Sequence, residues 1–114
     1  MNKEFEIFKK EFNKWYEKFG LIGYRIYFEY KELNEFDYGD ITTERESMVA
    51  TVRLNSKVND TVLYGRDIKR TAKHEAIHLM VNRLADVARD RYATDKEIYS
   101  AEEELVIKLE KLIN

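Results

Sequence analysis

The residues of this chain best suited to chemistry are His74, Glu75 and His78, in the run His74-Glu75-Ala76-Ile77-His78. Residues four apart on an α-helix lie one above the other on the same face. Two imidazoles spaced this way can approach one metal ion from consecutive turns, with Glu75 beside them. The spacing predicts a divalent-metal site in which a neighbouring carboxylate takes a proton from water. The chain holds two histidines and no cysteine, so a third protein ligand has to be a carboxylate.

The helix carrying the pair is expected over roughly Arg66 to Arg89. Measured from His74 at about 100° per residue, Ile77, Val81, Leu84, Ala85 and Ala88 fall within about a quarter-turn of the histidines, which are therefore expected to face the interior. Asp86 and Asp90 lie on or at the end of the same helix and cannot fold back onto the ion. The third ligand is sought beyond the turn, where Ala93-Thr94-Asp95 reads as a helix start with Glu97 in the first turn. The helix that follows has an apolar stripe of Ile98, Ala101, Leu105, Leu109 and Leu112, flanked by Val106 and Ile113. Within Glu102-Glu103-Glu104, Glu102 alone falls inside that stripe, where a carboxylate is costly unless paired or bound to metal. Glu102 is the expected third ligand and Glu103 the alternative, whereas Glu104 is assigned to a solvated face.

This pattern resembles the gluzincin arrangement of zinc metallopeptidases: His74-Glu75-Ala76-Ile77-His78, a short connection, then a helix bearing Glu102-Glu103-Glu104-Leu105-Val106. It is similar above all to compact, minigluzincin-like forms, namely ImmA/IrrE-type proteases, the core of SprT-like proteins and small metallopeptidases of phage and prophage genomes. The likeness to the phage group extends to an N-terminal helix with Trp15-Tyr16, a strand around Tyr24-Phe28, a strand around Ala50-Leu54 and the lead-in Thr71-Ala72-Lys73. Two departures narrow it. Val81 stands where the metzincin motif needs glycine, and the third histidine usual in SprT-like enzymes is missing.

The resemblance implies an α+β, zincin-like fold and a Zn2+ ion held by His74, His78 and Glu102. It also implies hydrolysis of a protein or peptide substrate by a zinc-activated water, with Glu75 as general base. Tyr64, Tyr92 and Tyr99 are candidates for stabilising the oxyanion, and Thr71 for orienting an imidazole. In the resembling peptidases the strand before the metal helix lies at the sheet edge, which would make Val49 to Leu54 a peptide-binding edge. A second reading is a non-catalytic phage-type binding or inhibitor protein that kept the fold, since fold alone does not imply activity. Glu75 favours the enzyme, because a pure binder has no need of a base between ligands.

The elements that must position these residues are few. A length of 114 residues fits one compact domain, 1–114, with one core. A first helix over about Lys3 to Lys18 places Phe5, Phe8, Phe12, Trp15 and Tyr16 at helical spacing and stops at Gly20. Ile22 to Tyr30 reads as a strand with Ile26 and Phe28 on one face and Arg25, Tyr27 and Glu29 on the other. Lys31 to Glu44 is polar and reads as a hairpin or connection. Ser47 to Asn55 alternates as a half-exposed strand with Met48, Ala50, Val52 and Leu54 on one side. The expected architecture is an N-terminal helix, a small and mainly antiparallel sheet of two to four strands, the metal helix and a C-terminal helix against it.

Charge and hydropathy exclude several classes. No apolar run approaches the roughly 20 residues needed to cross a bilayer, so no membrane partner is expected. The 20 basic residues are dispersed among 22 acidic ones for a net charge of −2, which argues against nucleic-acid binding. Arg66, Lys69, Arg70 and Lys73 form the densest basic stretch, a solvated helix face or a local patch beside the site. The lack of cysteine and of an apolar leader fits a cytoplasmic protein.

Overall fold

A computed structural model of the protein describes residues 2–34, 37–57 and 67–112. Helix α1 spans Lys3–Lys18, as its aromatic spacing predicts. Asn2 caps it, its side-chain oxygen accepting from the Phe5 N–H at 2.9 Å, and Glu4 and Glu6 complement the positive end of the helix dipole. At the other end Gly20 adopts φ 71°. The N–H groups of Gly20 and Leu21 then return to the carbonyls of Glu17 and Tyr16 at 3.0 and 3.1 Å, closing the last turn.

Three strands follow: β1 (Arg25–Lys31), β2 (Gly39–Glu44) and β3 (Val49–Asn55), in the spatial order β1-β3-β2. β3 pairs with β2 as an antiparallel hairpin, Gly39 opposite Leu54 through Glu44 opposite Val49. On its other side it pairs in parallel with β1, Arg25 opposite Val49 through Lys31 opposite Asn55. The sheet is therefore mixed rather than mainly antiparallel. The hairpin sends β2 to the outside, so β1 is left to join β3 on the opposite flank, where the two run in the same direction. β3 is the central strand, with both its ladders occupied. Val49 to Leu54 therefore cannot be the edge to which another strand adds; among the described residues the outer edges of the sheet belong to β1 and β2.

β2 lies in the polar stretch expected as a hairpin or connection. Its Ile41-Thr42-Thr43 run carries the β-branched signal of a strand, and the surrounding polar residues mask it. Gly39, which begins β2, is required by packing. A Cβ there would sit 2.6 Å from the Arg53 carbonyl oxygen and 3.2 Å from Thr71 Cγ2. Gly39→Ala is expected to lower stability by about 2 kcal/mol through this overlap, as measured by chemical denaturation.

One face of the sheet carries the core. Phe8 and Phe12 of α1 meet Phe28 edge-on, with ring centroids 6.4 and 5.5 Å away. Ala50, Val52 and Leu54 of β3 are fully buried beneath the helices. Helix α2 (Ile68–Arg89) adds Ala72, Ala76, Leu79 and Met80 to the same cluster, and helix α3 (Asp95–Leu112) adds Leu105 and Leu112 at its margin. The architecture is α+β, with three helices and a three-stranded sheet among the described residues.

Asn55, at the end of β3, is fully buried, and its amide organises the chain around it. Its Nδ2 donates to the carbonyls of Asn34 and Asp37 at 3.1 and 2.7 Å. Its Oδ1 accepts from the backbone N–H groups of Leu33 and Lys57 at 3.1 and 2.9 Å. Asn55→Ala would leave four backbone groups without these bonds, and a loss of about 2 kcal/mol in unfolding free energy is expected.

Candidate metal centre

α2 begins at Asp67, whose carboxylate caps the Arg70 N–H at 3.1 Å, and runs for 22 residues. It is apolar on two sides. Ala72, Ala76, Leu79, Met80 and Val87 are buried, whereas Ile77 is exposed and Val81, Leu84 and Ala85 are half-buried. The small side chains of Ala72 and Ala76 let the helix lie close against α1 and the sheet, and this decides which side turns inward. His74 and His78 consequently face solvent rather than the interior. The expectation of inward histidines counted the apolar residues on one side and overlooked the more closely packing stripe opposite.

On that exposed face the two rings converge. His74 Nε2 and His78 Nε2 lie 3.2 Å apart, the rings meeting edge to face with centroids 4.8 Å apart. Zinc–imidazole bonds of 2.0–2.1 Å place two tetrahedral ligands about 3.3 Å from each other, a separation close to that of this pair. The third donor is not assembled. Among the described residues no group of three or more His, Cys, Asp or Glu side chains gathers at a metal-binding distance. Glu102 is exposed and Glu103 half-buried on α3.

The reason lies in how α3 is turned. Ala101 is buried, and Leu105 and Leu112 reach the core, but Ile98 and Leu109 of the expected stripe remain 38% and 37% exposed. Arg83 of α2 draws Glu104 toward the helix interface, hydrogen-bonding its carboxylate and, at 3.4 Å, the Ser100 hydroxyl. Burial alone would raise the Glu104 pKa, but the Arg83 hydrogen bond and the charges of Arg83 and Lys108 hold it below the usual carboxylate value. Glu104 is thus an interfacial ion-pair residue rather than part of a solvated face. This pairing turns Glu102 outward.

Glu75 has the opposite environment from its flanking histidines. It is 5% exposed, and among the described residues no hydrogen bond or ion pair reaches its carboxyl. Burial pushes its pKa up to about 7 from 4.5, and the negative charges of Asp40 and Asp37 push in the same direction. Both aspartates come from β2 and the segment entering it. α2 is held against β2 by the Thr43 hydroxyl donating to Asn82 Oδ1 at 3.1 Å and by the close approach of Thr71 to Gly39. Sequence reasoning did not connect Asp37 and Asp40 to the site, since a separation of more than 30 residues carries no local signal.

Among the described residues, the remaining candidates show no contact with the pair. The Thr71 hydroxyl donates back to the Asp67 carbonyl at 2.9 Å, and the residue is buried on the inner side. Tyr92 and Tyr99 are exposed, Tyr92 beside the Arg91 guanidinium; Tyr64 lies outside the described residues. A cavity of about 260 Å³ opens between the β2–β3 turn, α2 and α3, reached by Arg45, Met48, Asn82, Arg83 and Lys108. His74, Glu75 and His78 do not line it.

The described residues form an α+β fold in which the His74 and His78 rings meet on α2. No family model and no curated protein matches the chain. Among solved structures it is similar to the metallopeptidase zymogen jannalysin of Methanocaldococcus jannaschii. The identity is 19%, the match covers 96% of each chain, and the TM-score is 0.45. No helix among the described residues is long and apolar enough to cross a membrane.

Proposed function

We propose that the protein is a zinc-dependent metallopeptidase on a zincin-like fold, with His74 and His78 as metal ligands, Glu102 as the third and Glu75 as general base. The observation that carries this reading is the 3.2 Å separation of the two Nε2 atoms within a His-Glu-x-x-His helix, a spacing that matches two ligands of one tetrahedral ion. When bound, zinc supplies Lewis-acid polarisation of a carbonyl and makes water acidic near neutral pH.

The chain's own residues do the rest. The imidazoles would hold the ion at an exposed helix face, open to a polypeptide arriving from solvent. Glu75 follows His74 by one residue; its carboxyl, enclosed in this structure, would take a proton from water once it reaches the histidine face and would then return it to the leaving amine. In the metal-free chain the Glu75 pKa is raised to about 7, and the positive charge of a bound ion would lower it toward the ionised form that accepts a proton. An extended substrate would add to the open edge of β2, the strand against α2, rather than to β3. Glu102 joins the histidines only if α3 presents it, and Glu103 is the neighbouring alternative.

The test is hydrolysis of an unstructured protein substrate by the zinc-loaded chain, compared with the Glu75→Gln variant and with chelated protein. Cleavage that requires both zinc and Glu75 supports the enzyme. Zinc binding without cleavage supports the second reading, a phage-type binding or inhibitor protein.

A further inference from the structure

We propose that Lys14, Lys18 and Lys73, gathered around Trp15, form a recognition site for acidic side chains of the peptide substrate; this rests on the metallopeptidase reading above. The ammonium groups of Lys73, Lys18 and Lys14 lie 4.5, 4.9 and 5.2 Å from the centre of the indole ring. Lys14 and Lys18 come from the last turns of α1 and Lys73 from α2, so only the packing of the two helices brings the three together. Each is attracted to the ring. They also repel one another, because groups this near a common point are no more than about 10 Å apart, within a Debye length at ordinary salt.

Among the described residues, one carboxylate is paired within the cluster. Glu11 accepts from the Trp15 indole N–H at 2.8 Å and lies 3.5 Å from Lys14 Nζ. Three positive charges against one negative leave a surplus at a half-buried aromatic ring whose lysines are exposed. The surplus continues along α2, where Lys69 and Arg70 are exposed and the first turn has no acidic residue.

The location suggests the partner. Lys73 immediately precedes His74 but points about 100° around α2 from it, toward Trp15 of α1. The cluster therefore flanks the exposed histidine face, and a peptide reaching both would wrap around that side of the helix. An acidic residue there would relieve the repulsion among the three ammonium groups, whereas a basic one would add to it. A nucleic-acid backbone fits less well, because phosphate contacts need an extended row of cations and this chain has a net charge of −2. The signal was legible in sequence only as the basic stretch around Lys69 to Lys73, without its partners on α1.

Trp15 is the sole tryptophan of the chain, so its emission reports on this site alone. The experiment titrates metal-free Glu75→Gln protein with a Glu-rich peptide and with its Gln counterpart, following Trp15 fluorescence at low and high salt. Binding is thereby read without hydrolysis, and an inactive metal centre does not affect the outcome. The expected result is a saturable change with the Glu peptide that weakens as salt rises. The affinity should fall about tenfold or more in Lys18→Ala/Lys73→Ala and recover in Lys18→Arg/Lys73→Arg, because the interaction depends on charge at those positions. Equal binding of the Gln peptide, or unchanged affinity in the alanine variant, would overturn the proposal. Tighter binding of single-stranded DNA or anionic vesicles with the same lysine dependence would overturn the assignment to a peptide.

Discussion

Glu75→Gln is expected to reduce peptide hydrolysis by about 10²–10⁴-fold while leaving zinc content unchanged, since general-base catalysis contributes a factor of that size. Gln fills the same space but cannot accept the proton from water. The readout is initial rate on an unstructured substrate together with elemental analysis of the same preparation. Loss of zinc along with activity would assign Glu75 to holding the site instead of to proton transfer.

The same substitution should change stability in the metal-free protein, with a sign set by burial. The Glu75 carboxyl is held up to about 7 in the folded chain against 4.5 without its environment. Folding therefore disfavours the ionised form. The contribution of this residue is fully favourable below about pH 4.5 and declines as the pH rises through the window up to about 7. The penalty then levels off at up to about 3 kcal/mol. Glu75→Gln removes the titration, so the variant should match the wild type near pH 4.5 and exceed it at pH 8 by up to about 3 kcal/mol. Urea unfolding at the two pH values, with chelator present, measures the difference. Equal stability at both would mean that the carboxyl is solvated or paired in solution.

The second large effect concerns the ion. Purified protein is expected to bind about one zinc per chain, with His74→Ala and His78→Ala each lowering affinity by more than roughly 100-fold, beyond what residues supporting the ligands contribute. Both imidazoles are exposed, and their removal leaves the core residues untouched, so the variants should retain their unfolding midpoint without metal. Glu102→Ala should weaken binding by at least about tenfold and Glu103→Ala much less, if α3 supplies the third ligand. The reverse order would move the ligand to Glu103. No effect of either would place the third donor off α3.

Much of this protein can be read from local pattern. The aromatic spacing from Phe5 to Tyr16 and the glycine at position 20 specify α1, because helix periodicity and capping act within a few residues. The alternation from Ala50 to Leu54 specifies β3, and the side-chain separation on β1 follows the same period of two. The pairing of His74 with His78 also needs nothing beyond helix geometry, and the two Nε2 atoms do meet.

Other features depend on contacts between distant segments. β2 is weakly marked in sequence and becomes a strand because β3 offers a complementary edge. The choice of β3 as centre, and the parallel pairing with β1, follow from where that hairpin places β2. α2 has two apolar sides, and only its fit against α1 and the sheet decides that the histidines face solvent while Glu75 is enclosed near Asp37 and Asp40. The turn of α3 depends on Arg83 capturing Glu104, an interaction across 21 positions that leaves Glu102 outside.

Local pattern is enough for the three helices, β1, β3 and the histidine motif, since capping, periodicity and i to i+4 spacing are properties of a single helix or strand. Tertiary structure alone decided which helix faces are buried, the raised pKa of Glu75 and the meeting of three lysines at Trp15. Packing and electrostatics couple residues that are close in space, and the distance between them along the chain carries no record of that proximity.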